Sequence, residues 1–119
     1  MGDLGEAAAA RFLEGQGYRI VARNHRCPRG EVDLIVERGP LIVFVEVRTR
    51  TGRTGGSPLE TVGPVKQRKI LLAARDWLAR TPVSERELRF DVVGVVQGPR
   101  GPEVTHVPAA FDAGDEFTL

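Results

Sequence analysis

The sequence predicts a single α/β domain in which a mixed central sheet is flanked by helices. Three observations carry this reading. Two apolar runs, 31–37 and 41–50, stand on either side of Gly39-Pro40 and read as a hairpin. A segment of helical period follows at 63–80, and a further apolar run at 89–97 comes after it. A helix between two strands forms a right-handed crossover that brings them parallel. A hairpin plus a crossover therefore makes a mixed sheet with helices packed on it.

The elements follow in order. Asp3 to Gln16 reads as a helix, with Asp3 as N-cap, Glu6 three residues on, and Gly15 and Gly17 to stop it. Leu4, Ala7, Ala8 and Leu13 form its apolar stripe. Residues 18–24 alternate weakly and read as a first strand, ahead of the two hairpin strands. Residues 51–63, rich in Gly, Thr and Ser with Pro58, read as a mobile loop without a GxxxxGK[ST] phosphate motif. Pro64 suits the first turn of the second helix, where Ile70, Ala73, Ala74 and Trp77 share one face and Trp77 belongs to the core. Residues 89–97 form a fourth strand and 103–107 a short fifth, joined by the turn 98–101. At 119 residues the chain is expected to be one domain over 1–119, with 112–119 as a candidate flexible tail.

Composition narrows the function classes. Hydrophobic residues at 41% and charged residues at 28% are ordinary for a globular protein. No apolar stretch is long enough to span a bilayer and no signal peptide precedes the first helix, so no membrane partner is expected. The single Cys27 cannot form an internal disulfide, which fits cytoplasmic residence. His25 and His106 lack metal-ligand spacing, which argues against zinc.

The chemistry concentrates in Gly30-Glu31-Val32-Asp33 and Val45-Glu46-Val47-Arg48. A four-residue loop over Arg38 to Leu41 sets Glu37 against Ile42, hence Asp33 against Glu46 and Glu31 against Arg48. Alternation then puts Glu31, Asp33 and Ile35 on one face, with Phe44, Glu46 and Arg48 across from them. Opposed side chains start about 4.5–5.5 Å apart at Cβ. Two carboxylates that close repel, raise a pKa, or share a hard cation such as Mg²⁺ or Mn²⁺. Burying isolated acids in strands this apolar is costly unless something gathers them. A register slip of one residue would separate them. The bland reading is a solvated sheet face, with Glu31 and Arg48 as a plain cross-strand ion pair.

Net charge is only +1, yet Arg48, Arg50 and Arg53 cluster without an acid, as do Lys66, Arg68 and Lys69. A basic patch beside an acidic metal site is what a phosphodiester substrate requires. A solubilising surface is the simpler account of the same residues.

These residues, taken in order, resemble the PD-(D/E)XK nuclease superfamily and its restriction-endonuclease-like αβββαβ core. Within it the chain is similar to archaeal Holliday-junction resolvases, and more closely to the bacterial YraN family of uncharacterised small proteins. The resemblance rests on Gly5-Glu6, Gly17-Tyr18, Arg23-Asn24, Gly30-Glu31-Val32-Asp33, Val43-Phe44-Val45-Glu46-Val47-Arg48, Lys66, Lys69, and Arg89-Phe90-Asp91-Val92-Val93, and it fades after Phe111. It implies a nucleic-acid-processing protein, a metal-dependent endonuclease acting on branched DNA. Asp33 and Glu46 match the metal-holding acids and Glu6 the extra acid of the first helix. Arg48 stands where the superfamily carries a lysine. Arginine is always protonated and cannot act as a general base, though its charge can stabilise a phosphorane. Lys66 or Lys69 is expected to bring an amine to the site. Arg50, Arg53, Lys66 and Lys69 are the expected phosphate contacts, and the resolvase analogy implies a homodimer. The alternative function is a nucleic-acid-binding module with the nuclease fold and no turnover, which Arg48 favours. A scaffold role without nucleic acid is the third reading, favoured by the low net charge. Asp91 is read as a structural acid paired with arginine, or else as outer support for Glu46.

Overall fold

The computed structural model describes residues 3–51, 62–82 and 84–112. Most of the loop expected at 51–63, Arg53 included, and the tail beyond 112 lie outside the described residues. The elements are α1 (Asp3–Gly15), β1 (Arg19–Cys27), β2 (Gly30–Arg38), β3 (Leu41–Thr51), α2 (Pro64–Arg80), β4 (Glu87–Gly98) and β5 (Gly101–Phe111). The sheet runs β1-β2-β3-β4-β5, antiparallel except for the β3–β4 pair, which is parallel. This is the mixed sheet flanked by helices that the sequence predicts, and it is compatible with a restriction-endonuclease-like core.

Each face of the sheet has its own core. Leu34, Val36, Val43, Val45, Val93 and Val95 pack with Ala8, Ala9, Ala10 and Leu13 of α1. Ile35, Ile42, Phe44, Phe90 and Val92 pack with Ile70, Ala73, Ala74 and Trp77 of α2. Strict alternation along β3 and β4 delivers side chains to both layers. The interior of the α2 layer holds an aromatic row. Trp77 meets Phe44 edge-on, while Phe44 stacks on Phe90 and Phe90 on Phe111, with centroids at 6.0, 5.3 and 5.3 Å.

Two glycines set how closely the helices approach. A Cβ on Gly5 would lie 2.2 Å from Thr49 Oγ1, and one on Gly30 would lie 1.9 Å from the carbonyl oxygen of Lys69. The first contact seats α1 on β3 and the second seats α2 on β2. Because α1 approaches through Gly5 and alanines, its buried stripe lies one residue round from the expected one, and Leu4 is left 83% exposed.

The fifth strand is longer than expected and runs through Pro108 to Phe111. Proline lacks an N–H for the ladder, but β5 is an edge strand and has no outer partner to satisfy. Its register shifts between the Val92 and Phe90 pairings, a bulge at which Ala109 adopts φ 52°.

Candidate functional site

The hairpin turn is the two-residue Gly39-Pro40, because Arg38 pairs with Leu41; Glu37 pairs with Ile42 as expected. From there the β2–β3 ladder runs to Leu34 and Val45 and stops. The next backbone donor of β3, Val47 N–H, donates to Asp33 Oδ2 at 2.7 Å instead of to a β2 carbonyl. Asp33 thus takes the place of a ladder acceptor where the strands part. The two-fold period of β2 breaks at the same point. Val32 and Ile35 both join the α2 core, whereas Leu34 between them joins the α1 core.

Glu46 lies across the opening. It shares parity with Ile42 and Phe44 and therefore faces α2, where it is only 6% exposed. It lies close enough for its charge to act on Asp33. Burial, then the Glu46 charge, push the Asp33 carboxyl up to about 7, against the opposing pull of the Val47 N–H. Asp33 therefore holds its proton into the neutral range. Lys66, in the first turn of α2, sets its Nζ 3.6 Å from Glu46 Oε2. The positive end of the α2 dipole lies in that same turn.

The other expected residues are distributed around this pair. Arg48 is two residues beyond Glu46 on the same face of a strand that stays paired with β4 to its end. Arg50 donates to the Thr49 carbonyl at 3.1 Å. Lys69 is exposed one helical turn beyond Lys66. Glu6 follows the Gly5–Thr49 contact on the α1 side, and its charge acts on Arg26 together with that of Asp33. Among the described residues no group of three His, Cys, Asp or Glu side chains is placed to hold a metal ion.

Two expectations are corrected. The β2–β3 ladder does not extend far enough to set Glu31 against Arg48; Glu31 accepts from Arg26 Nε at 2.9 Å, its partner across the β1–β2 ladder. The ladder to β3 has already ended, which leaves Glu31 to β1. Asp91 gives Glu46 no outer support, because its parity with Val93 and Val95 places it on the α1 side. It is fully buried and structural. Arg89 donates to both its oxygens at 2.8 Å, His106 Nε2 lies 2.7 Å from Oδ2, and Ala109 N–H donates to Oδ1 at 3.0 Å. Burial alone would raise its pKa; these bonds outweigh it and hold the carboxyl below its ordinary value. The β5 bulge supplies the Ala109 donor.

The donor set at the opening suits a hard divalent cation. Asp33 and Glu46 offer only oxygen ligands, as Mg²⁺ and Mn²⁺ prefer. Burial and then the Glu46 charge raise Asp33, and a cation would relieve the repulsive part.

The model of the uncharacterised protein family UPF0102 matches residues 5–95, a span that holds both acids, Arg48, Lys66 and Lys69. The chain belongs to UPF0102. A UPF0102 protein of Anaeromyxobacter dehalogenans is 52% identical over 94% of this chain and 84% of its own length. One of Symbiobacterium thermophilum is 50% identical over 85% and 86%, and one of Myxococcus xanthus 46% identical over 95% and 90%. UPF0102 relatives therefore match almost the whole chain. No helix among the described residues is long and apolar enough to cross a membrane.

Proposed function

We propose that this UPF0102 chain is a metal-dependent endonuclease that acts on branched DNA. The observation carrying the reading is the Asp33–Glu46 pair, set close together at the point where β2 and β3 separate, with Lys66 beside it. Asp33 and Glu46 would hold Mg²⁺ or Mn²⁺. When bound, such a cation supplies Lewis-acid charge and acidifies a water at neutral pH.

The chain's own residues would do the remaining work. The Val47 N–H fixes the Asp33 carboxylate in one orientation. Arg48 has no proton to accept at working pH, so its part is electrostatic: positive charge set against the phosphorane. Lys66 brings from α2 the amine that β3 lacks at position 48. Arg50, Arg53, Lys66 and Lys69 would hold backbone phosphates. A four-way substrate calls for two such sites, hence a homodimer.

The test is cleavage of branched and linear DNA with Mg²⁺ or Mn²⁺ by wild type, Asp33→Asn, Glu46→Gln and Lys66→Gln, with calorimetric titration of Mn²⁺ into each. Cleavage and Mn²⁺ binding are expected in wild type and lost at both acids. Equal cleavage by all four proteins would end the proposal. Arg48 favours a second reading, a nucleic-acid-binding module without turnover. That reading predicts salt-dependent DNA binding with no cleavage, unchanged by Arg48→Lys.

A further inference from the structure

Beside the carboxylate pair lies a groove of about 370 Å³ between the β1–β2 turn and the first turns of α2. Arg26 and Arg29 line it from the turn side, and Lys66 and Lys69 from the helix. Its one acid, Glu31, is already paired with Arg26. Arg29 and Lys69 are exposed and have no ion-pair partner among the described residues. Cys27, the chain's single thiol, is half-buried in the wall.

Three features connect the groove to the candidate site. Lys66 lines it and also contacts Glu46. Arg26 lies within electrostatic reach of Asp33. The walls are fixed relative to each other, because Gly30, having no Cβ, lets β2 close onto the backbone carbonyl of Lys69. A groove built before its ligand arrives avoids part of the ordering cost of binding. Its volume is that of a small-molecule site, which suits one backbone strand.

Resting on the nuclease reading, we propose that this groove seats a single phosphodiester strand next to the scissile position. Arg29 and Lys69 clamp its phosphates, and Lys66 passes it to Asp33 and Glu46. Arg26 and Arg29 thus join the nucleic-acid contacts; they close a stretch, 19–29, that carries four arginines and no acid. The strand belongs either to single-stranded DNA or to one side of a duplex or branch.

Cys27 makes the groove directly testable. Its alkylation by neutral iodoacetamide is timed in EDTA, with single-stranded, duplex or branched oligonucleotides, while gel mobility reports total binding. At ten times the dissociation constant the rate is expected to fall about tenfold. The arm with the strongest protection identifies the source of the strand. Arg29→Ala is expected to weaken binding and lower the salt slope by about 0.7 to 0.9. Arg29→Glu should remove protection while circular dichroism stays unchanged. An oligonucleotide that shifts the protein yet leaves Cys27 alkylation at its free rate overturns the groove proposal. So does unaltered binding by Arg29→Glu. In both cases the nuclease reading stands, since metal-dependent cleavage is measured separately. No mobility shift with any oligonucleotide at low salt also overturns the groove proposal, and the cleavage assay alone then decides the nuclease reading.

Discussion

Replacing Asp33 by Asn should make the metal-free protein more stable at neutral and alkaline pH. The carboxyl rises from its ordinary 3.8 to about 7 in the folded state. Between those values the native chain binds a proton that the unfolded chain has released. Wild-type stability therefore declines as pH rises from about 4 to about 7, and the full penalty is present above that range. A shift of about three units corresponds to about 4 kcal/mol. Asp33 keeps some contact with solvent, which screens the effect, so about 2–4 kcal/mol is expected. Asn reproduces the protonated acid: its Oδ1 can accept from Val47 N–H and its Nδ2 can donate to Glu46. The assay is urea unfolding of both proteins in EDTA at about pH 4.5 and pH 8, followed by circular dichroism. The advantage of Asp33→Asn should be large at the higher pH and small at the lower one. An identical difference at both values would refute the raised pKa of Asp33. Adding Mn²⁺ at a hundred times its dissociation constant should return about 2.7 kcal/mol to wild type and nothing to the variant.

Three further outcomes follow from the packing. Asp91→Asn leaves the Arg89 guanidinium with a neutral partner in a buried site and should cost about 3–5 kcal/mol, measured by urea unfolding at neutral pH. Gly30→Ala forces the Lys69 carbonyl away from β2 and should cost about 1–3 kcal/mol, with a thermal midpoint several degrees lower. Phe44→Ala opens the middle of the aromatic row and should cost about 3–5 kcal/mol with little change in the slope of the urea transition.

Much of the fold was legible because its signals are local. The period of 63–80, the Gly39-Pro40 turn and the alternation of 41–50 each act within a few residues, and the register from Glu37–Ile42 to Leu34–Val45 follows from them. The closeness of Asp33 and Glu46 was legible by the same counting. How they come together was not. Alternation assumes a regular ladder, and the ladder ends one pair short of the acids, where a side chain replaces the backbone acceptor. Pro108 hid the length of β5, since only the position of that strand at the sheet edge makes proline tolerable there. Asp91 was ambiguous because Arg89, His106 and Ala109 converge on it from two strands and a bulge. The part of Arg26 and Arg29 is not local, because a turn at 28–29 meets a helix more than thirty residues away only in the folded chain.

The strand order bears on how the chain matures during synthesis. Every neighbour in the sheet is also a neighbour in sequence, so β1, β2 and β3 can pair on the ribosome before β4 has been made. Residues 33 and 46 are then already adjacent, while Phe44 and Ile42 still await the helix that shields them. A nascent chain halted at that stage would display an oily sheet face and an acidic notch without its lysine, and completing α2 would close both in one event.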